Sequence, residues 1–172
     1  MTREAPFAEL YATHYRQVRA LCRQLLGSAE RADDATQEAF VRAYRNFAGY
    51  DAAQPFGPWI MRIARNHALD LLRRRRLEPA ELGTEAEEAA AAEAGETDGL
   101  GELLTAERAG AVQAAVAALP ERYRVPLALA YFADLRYDEI ATDLGITRTH
   151  VGALLCRARQ LLRKMLTEET ES

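Results

Sequence analysis

The stretch from Arg136 to Arg163, RYDEIATDLGITRTHVGALLCRARQLLR, constrains this chain more than any other part of it. Tyr137, Ile140, Ala141 and Leu144 recur at helical spacing, and Gly145 stands where a helix can end in a left-handed residue. Thr147 supplies a side-chain oxygen able to cap a second helix, in which Val151, Leu155, Ala158 and Leu162 recur at steps of three or four. Two short helices at a Gly-containing turn have the form of a helix-turn-helix, whose second helix fits a major groove. The same pattern also suits a helical hairpin inside a core. Arg157, Arg159, Arg163 and Lys164 favour the first reading, because an interior has little use for a cluster of cations.

The net charge of -4 argues against a nucleic-acid partner until it is divided along the chain. Ten acids lie between Glu78 and Glu107 (among them Glu85, Glu87, Glu88, Glu93 and Asp98) with no Lys or Arg; the flanks hold 22 basic against 16 acidic residues. The overall charge thus hides two basic blocks behind one acidic segment. That segment has an alanine run, several glycines and no aromatic residue, so it cannot bury enough surface to order itself alone. Residues 78–102 read as a flexible acidic linker, with a coil-like reach of about 25–30 Å. The expectation is an all-α chain of two small helical domains, residues 1–77 and 103–172, joined by it.

In the first domain Phe7, Leu10, Tyr11, Val18, Leu21, Cys22 and Leu25 make an apolar stripe closed by Gly27, and Ser28 can cap the next helix. Phe40, Val41, Tyr44 and Phe47 then read as a buried stripe, while Asp34, Gln37, Glu38 and Arg45 share another face. After a break at residues 49–55, Phe56, Ile60, Ile63, His67 and Leu71 repeat with helical period. Arg62, Arg65, Asn66, Asp70, Arg73 and Arg74 run beside that stripe, and the helix ends in Arg73-Arg74-Arg75-Arg76. Such a basic stripe neutralises phosphates, or else forms a solvated helix end that suits the helix dipole. Phe47, Tyr50, Phe56 and Trp59 form an aromatic cluster of the kind that stacks unpaired bases, or a core. In the second domain, LLTAERAGAVQAAVAAL reads as a small-residue helix before Pro120. Pro120 fits the first turn of the next helix, and Pro126 is expected to kink that helix or delay its start.

Other chemistries find no support. Cys22 and Cys156 form no CxxC and lie near no histidine cluster, so neither a disulfide framework nor a metal site is expected. No phosphate-binding glycine motif and no Ser/His/Asp arrangement can be assembled, so no catalytic residue and no cofactor are assigned and an enzyme is not expected. There is no run of about 18 apolar residues and no basic flank before a hydrophobic stretch at MTREAPFAEL, so neither membrane insertion nor export is expected and the place is the cytoplasm.

The runs DDATQEAFVRAYRNF, PFGPWIMRIARNHALDLLRRRR and ALPERYRVPLALAYFADLRYDEIATDLGITRTHVGALLCRARQLL, in this order and spacing, resemble the bacterial sigma factors of the extracytoplasmic function group, in the sigma-70 family. The resemblance implies an alternative sigma factor that binds core RNA polymerase, recognises promoter DNA and assists strand opening, the polymerase supplying the catalysis. It places Asp34, Gln37 and Glu38 where the family docks on polymerase. It places Arg62, Arg65, Asn66, Asp70, Arg73 and Arg74 on the helix that addresses the downstream promoter element. The loop from Phe47 to Pro55 is similar to one holding a base flipped from the non-template strand, and extracting a base costs a few kcal/mol that a pocket must offset; Tyr50, Phe56 and Trp59 are expected, with those helix residues, among the contacts to the downstream element. An anti-sigma factor is a further implied partner.

Two other readings stay open at this level. A sigma-like mimic could sequester an anti-sigma factor without initiating transcription, although those with a receiver domain would need a longer chain. A one-component helix-turn-helix regulator would bind DNA alone and leave the first domain unexplained. Within the helix-turn-helix, Arg148, Arg157 and Arg159 are expected on phosphates and Thr149, His150 and Gly152 on bases, with Cys156 nearby as either a small tolerated residue or a thiol activated by neighbouring cations. Relatives of this group usually carry cations where this chain has His150-Val151-Gly152-Ala153-Leu154, and a capping Ser where it has Arg136, a difference of about 0.5–2 kcal/mol. The helix-turn-helix is therefore expected to be a weak upstream anchor.

Overall fold

The computed structural model describes residues 4–75 and 109–171. The expected linker, Arg76 and the first residues of the expected second domain lie outside this set. The described residues form two units, one on each side of residues 76–108. Both are all-α, with seven α-helices in total and no strand among the described residues.

The first unit holds α1 (Glu4–Leu26), α2 (Ala29–Asn46), a 3-10 turn (Phe47–Gly49) and α3 (Phe56–Arg75). Gly27, at φ 72°, ends α1 in the left-handed region, its N–H donating to the Arg23 carbonyl at 3.0 Å. Ser28 then opens α2 by accepting from the Arg31 N–H at 3.4 Å. The three helices pack mutually around Val18, Leu21, Leu25, Ile60, Ala64 and Ala68, all without exposed surface. Burying each of the larger aliphatic chains contributes about 1.5–3 kcal/mol. On α2 the stripe facing this core is Ala32, Ala35, Ala39 and Ala43 with Thr36 and Phe40. That corrects the expected stripe: Val41 and Tyr44 are 41% and 42% exposed. A run of methyl groups at steps of three and four lets a helix lie close to its neighbours, which turns the larger side chains outward.

The second unit holds α4 (Ala109–Ala118), α5 (Glu121–Tyr131), α6 (Tyr137–Leu144) and α7 (Arg148–Thr170). α7 packs on the other three around Val112, Val116, Leu127, Ile140, Leu155 and Leu162, all essentially without exposed surface. Pro126 lies well inside α5, so the expected delay of the helix start does not occur: Pro120 caps the helix and its carbonyl accepts from the Arg124 N–H at 2.9 Å. Proline forgoes one backbone bond, and its ring is buried in the core in exchange. Gly145, at φ 67°, closes α6, and Thr147 Oγ1 accepts from the His150 N–H at 3.1 Å to open α7. The start of α6 has no capping hydroxyl, as expected, yet the Glu139 carboxylate accepts from the Arg136 N–H at 3.1 Å and does half the work of a capping box.

Candidate nucleic-acid interface

Along α3, Arg62, Asn66, Asp70 and Arg73 follow one another at steps of four, four and three, and all are exposed; Arg74 and Arg75 are exposed at its end, while Arg65 is half-buried. Asp70 accepts from Arg73 Nη1 at 3.0 Å, a contact that holds one guanidinium in place. The opposite side of the helix is filled by Ile60, Ala64, Ala68 and Leu72, so this polar row faces solvent.

The aromatic cluster sits at the start of this row. Tyr50 stacks on Phe47 with centroids 5.7 Å apart and lies 4.7 Å from Trp59, both half-buried. Phe56 is instead buried, in edge or tilted contact with Phe7, His14, Phe47, Tyr50 and Trp59. Phe56, expected among the contacts, is the buried floor of the cluster, while Phe47, Tyr50 and Trp59 are half-buried. The connecting loop is already folded. Asp51 accepts from the Ala53 N–H at 2.9 Å, Gln54 N–H donates to the Asp51 carbonyl at 2.9 Å, and the Tyr50 hydroxyl donates to the Gln54 carbonyl.

On α2, Asp34 and Gln37 are exposed. Glu38 accepts from Arg42 Nε at 3.0 Å, and that hydrogen bond holds its carboxyl below the usual range. Beside this patch, Phe7, Ala8, Tyr11, Gln37, Phe40, Val41, Tyr44 and Arg45 line a groove of about 650 Å³ between α1 and α2. Its lining is mostly apolar, with Gln37 and Arg45 as the amide and charged members.

In the helix-turn-helix, Arg148, Thr149 and Arg157 are exposed, as are Arg163 and Lys164. Arg148 Nε lies 3.6 Å from Asp138 Oδ1 on α6. Two expected contacts turn inward. His150 is 7% exposed, because helical geometry puts it on the side shared with Val151 and Leu154, and Arg159 is 9% exposed. Gly152 is half-buried, and a Cβ on it would lie 3.9 Å from the Tyr137 ring. Cys156 is half-buried and Gln160 Nε2 lies 3.8 Å from its sulfur.

Residues 10–78 match the family described as Sigma-70 region 2, and residues 109–162 match that described as Sigma-70, region 4. The chain is 30% identical to the ECF RNA polymerase sigma factor SigW of Bacillus subtilis, over 94% of this chain and 89% of that one. It is also 30% identical to the RNA polymerase sigma-H factor of Pseudomonas aeruginosa, over 93% and 86%. The fold is similar to that of the sigma factor RpoE of Bartonella quintana, solved in complex with the anti-sigma factor NepR, at a TM-score of 0.55, 17% identity, and coverage of 94% of this chain and 97% of that one. The chain belongs to the ECF sigma factors.

Its class of function is therefore that of an RNA polymerase sigma factor. Region 2 of this sigma factor comprises the first unit and region 4 the second. Sequence reasoning missed three parts of the surface: Tyr11, Val41 and Tyr44, whose apolar character implied a core; Arg42, which binds Glu38; and Glu139, which caps α6. For Arg42 and Glu139 the signals were present, an i,i+4 pair and an acid three residues after the helix start. Among the described residues no group of three or more His, Cys, Asp and Glu could hold a metal ion, and no helix is long and apolar enough to cross a membrane.

Proposed function

We propose that this sigma factor divides its work among three surfaces: a docking face on α1 and α2, a downstream reading face on α3 and its loop, and an upstream reading face on α7. Asp34, Gln37 and Glu38 dock on core RNA polymerase together with the groove beside them. Val41 and Tyr44, exposed beside Gln37 on a helix whose core side is already filled by alanines, are the observation that carries this reading. A contiguous apolar face rimmed by polar groups fits a protein partner. The same face suits an anti-sigma factor competing with polymerase.

Arg62, Arg65, Asn66, Arg73 and Arg74 bind the downstream promoter element, the cations on phosphates and Asn66 on a base edge. Tyr50 and Trp59, over the Phe56 floor, offer stacking faces to one base drawn out of the duplex, at about 1–3 kcal/mol for stacking on an aromatic ring. The folded loop between Tyr50 and Phe56 presents these faces with little further ordering to be done. Arg148, Thr149, Gly152 and Arg157 meet the upstream element, and the acidic linker tethers the two regions. Polymerase performs the chemistry, and this chain selects the site and helps open it.

In vitro transcription with core polymerase and a promoter library tests the whole assignment. Glu38→Arg should lower core binding by about tenfold or more, since a like charge replaces the acid beside Arg42. Asn66→Ala should leave core binding intact and reduce promoter-specific initiation by about tenfold, the worth of one good base contact. Wild-type behaviour of both variants would refute it.

A further inference from the structure

Arg159 lies on the helix assigned to upstream DNA, yet it is only 9% exposed, and its two guanidinium ends are held by two other helices. Nη1 donates to the Tyr131 hydroxyl at the end of α5 at 3.5 Å, and Nη2 donates to the Tyr137 hydroxyl at the start of α6 at 3.2 Å. The Tyr137 side chain also stands close to α7 on this same side. The Tyr137 ring comes within 3.9 Å of the position a Cβ on Gly152 would take, one residue of the expected base-contacting set. Gly152 and Arg159 are seven residues apart, about two turns, and helical side chains lean back toward the N-terminus, so the guanidinium reaches the tyrosine that covers Gly152.

We propose that Arg159 is a positioning residue for promoter recognition, clasping Tyr131 and Tyr137 so as to fix the rotation of α7 about its own axis. The inference rests on the assignment of α7 to upstream DNA. The clasp also closes the α5–α6 corner, where Asp134 stands in the left-handed region at φ 53° and the Leu135 N–H donates to the Leu129 carbonyl at 3.1 Å. A planar guanidinium offers two donors at fixed separation, which a lysine ammonium cannot reproduce. With the clasp intact, Thr149, Gly152 and Arg157 meet the groove at one angle. Loosened, they meet it at several, and selectivity is averaged away while the positive charge stays.

The experiment uses full-length protein bound to core polymerase and a double-stranded DNA library randomised over promoter length. Arg159→Lys should flatten the enriched upstream motif about tenfold, the order expected for losing a charged hydrogen bond, and leave the downstream motif unchanged. Tyr137→Phe removes one oxygen only and should flatten it in the same positions by about threefold. Arg157→Ala, an exposed cation, should keep the motif and lower the slope of log affinity against log salt by about one. If Arg159→Lys loses helical content, Tyr137→Phe decides the matter alone. An unchanged upstream motif in both clasp variants overturns the inference, as does a neutral Arg159→Gln that keeps the motif and lowers the salt slope by about one, which would put Arg159 on a phosphate. A wild-type pool with a downstream motif and no upstream one overturns the assignment of α7, and the inference with it.

Discussion

α3 and α7 are both basic helices, each proposed to read DNA, and they handle their cations in different ways. In α3 the packed side stops at Leu72 and the charge gathers beyond it, so Arg73, Arg74 and Arg75 all reach solvent. α7 goes on packing as far as Leu166, and each cation's place around the axis decides its fate. Arg157, Arg163 and Lys164 reach solvent, Arg148 faces Asp138, and Arg159 is enclosed by tyrosines. A count of basic residues therefore measures phosphate-binding capacity at the end of a helix that has finished packing, and overstates it along one that has not.

The strongest way to break this comparison is Leu155→Ala on the packed side of α7, which should cost about 2–5 kcal/mol and weaken upstream binding along with stability. Arg75→Ala at the tip of α3 should leave the denaturation midpoint unmoved, and equal effects of the two would erase the distinction. Next in size, Arg73→Ala combined with Arg74→Ala should lower the salt slope of promoter binding by about two, read by titrating the holoenzyme with salt. Asp138→Asn should act the other way at the helix-turn-helix. It releases Arg148 from a largely exposed pair worth under about 1 kcal/mol, so DNA affinity should rise by a few-fold at most. The smallest effect concerns His67 on the packed side of α3, whose pKa burial pushes below its ordinary 6.5, with the nearby Arg42 acting in the same direction. An unfolded chain binds that proton more readily, so stability should fall as pH drops through 6.5, and His67→Gln should flatten that part of the pH profile.

Much of the architecture was legible because its punctuation is local. Gly27 with Ser28, and Gly145 with Thr147, mark helix ends by backbone conformation and capping, which need no distant neighbour. What a side chain faces is a property of the partner helix. On α2 two apolar sides compete, one of alanines and one of Val41 and Tyr44, and hydrophobicity alone favours the larger residues; the close approach of α1 and α3 chooses the smaller. His150 and Arg159 were misplaced for the same reason, since polar residues were read as outward on a helix whose inward arc is wider than its apolar stripe. On α3 the exposure of Arg62, Asn66, Asp70, Arg73 and Arg74 was legible from helical spacing. The burial of Phe56 was not, because one sequence cannot say which ring of a cluster is floor and which is wall.

The alanine stripe of α2 also bears on how a sigma factor of this design can diverge. Four positions on its inner side tolerate no added volume without prying the helices apart, at a cost of about 1–3 kcal/mol. On the outer side Val41 and Tyr44 are exposed, the Tyr44 ring standing edge-on to Phe7 with centroids 5.1 Å apart. Mutation is thus filtered by side: one half of the helix is held by the fold, and the other, under the proposed docking role, answers to selection for partners. Two paralogues could come to prefer different regulators through substitutions at Gln37, Val41, Tyr44 and Arg45 alone, with their cores unchanged.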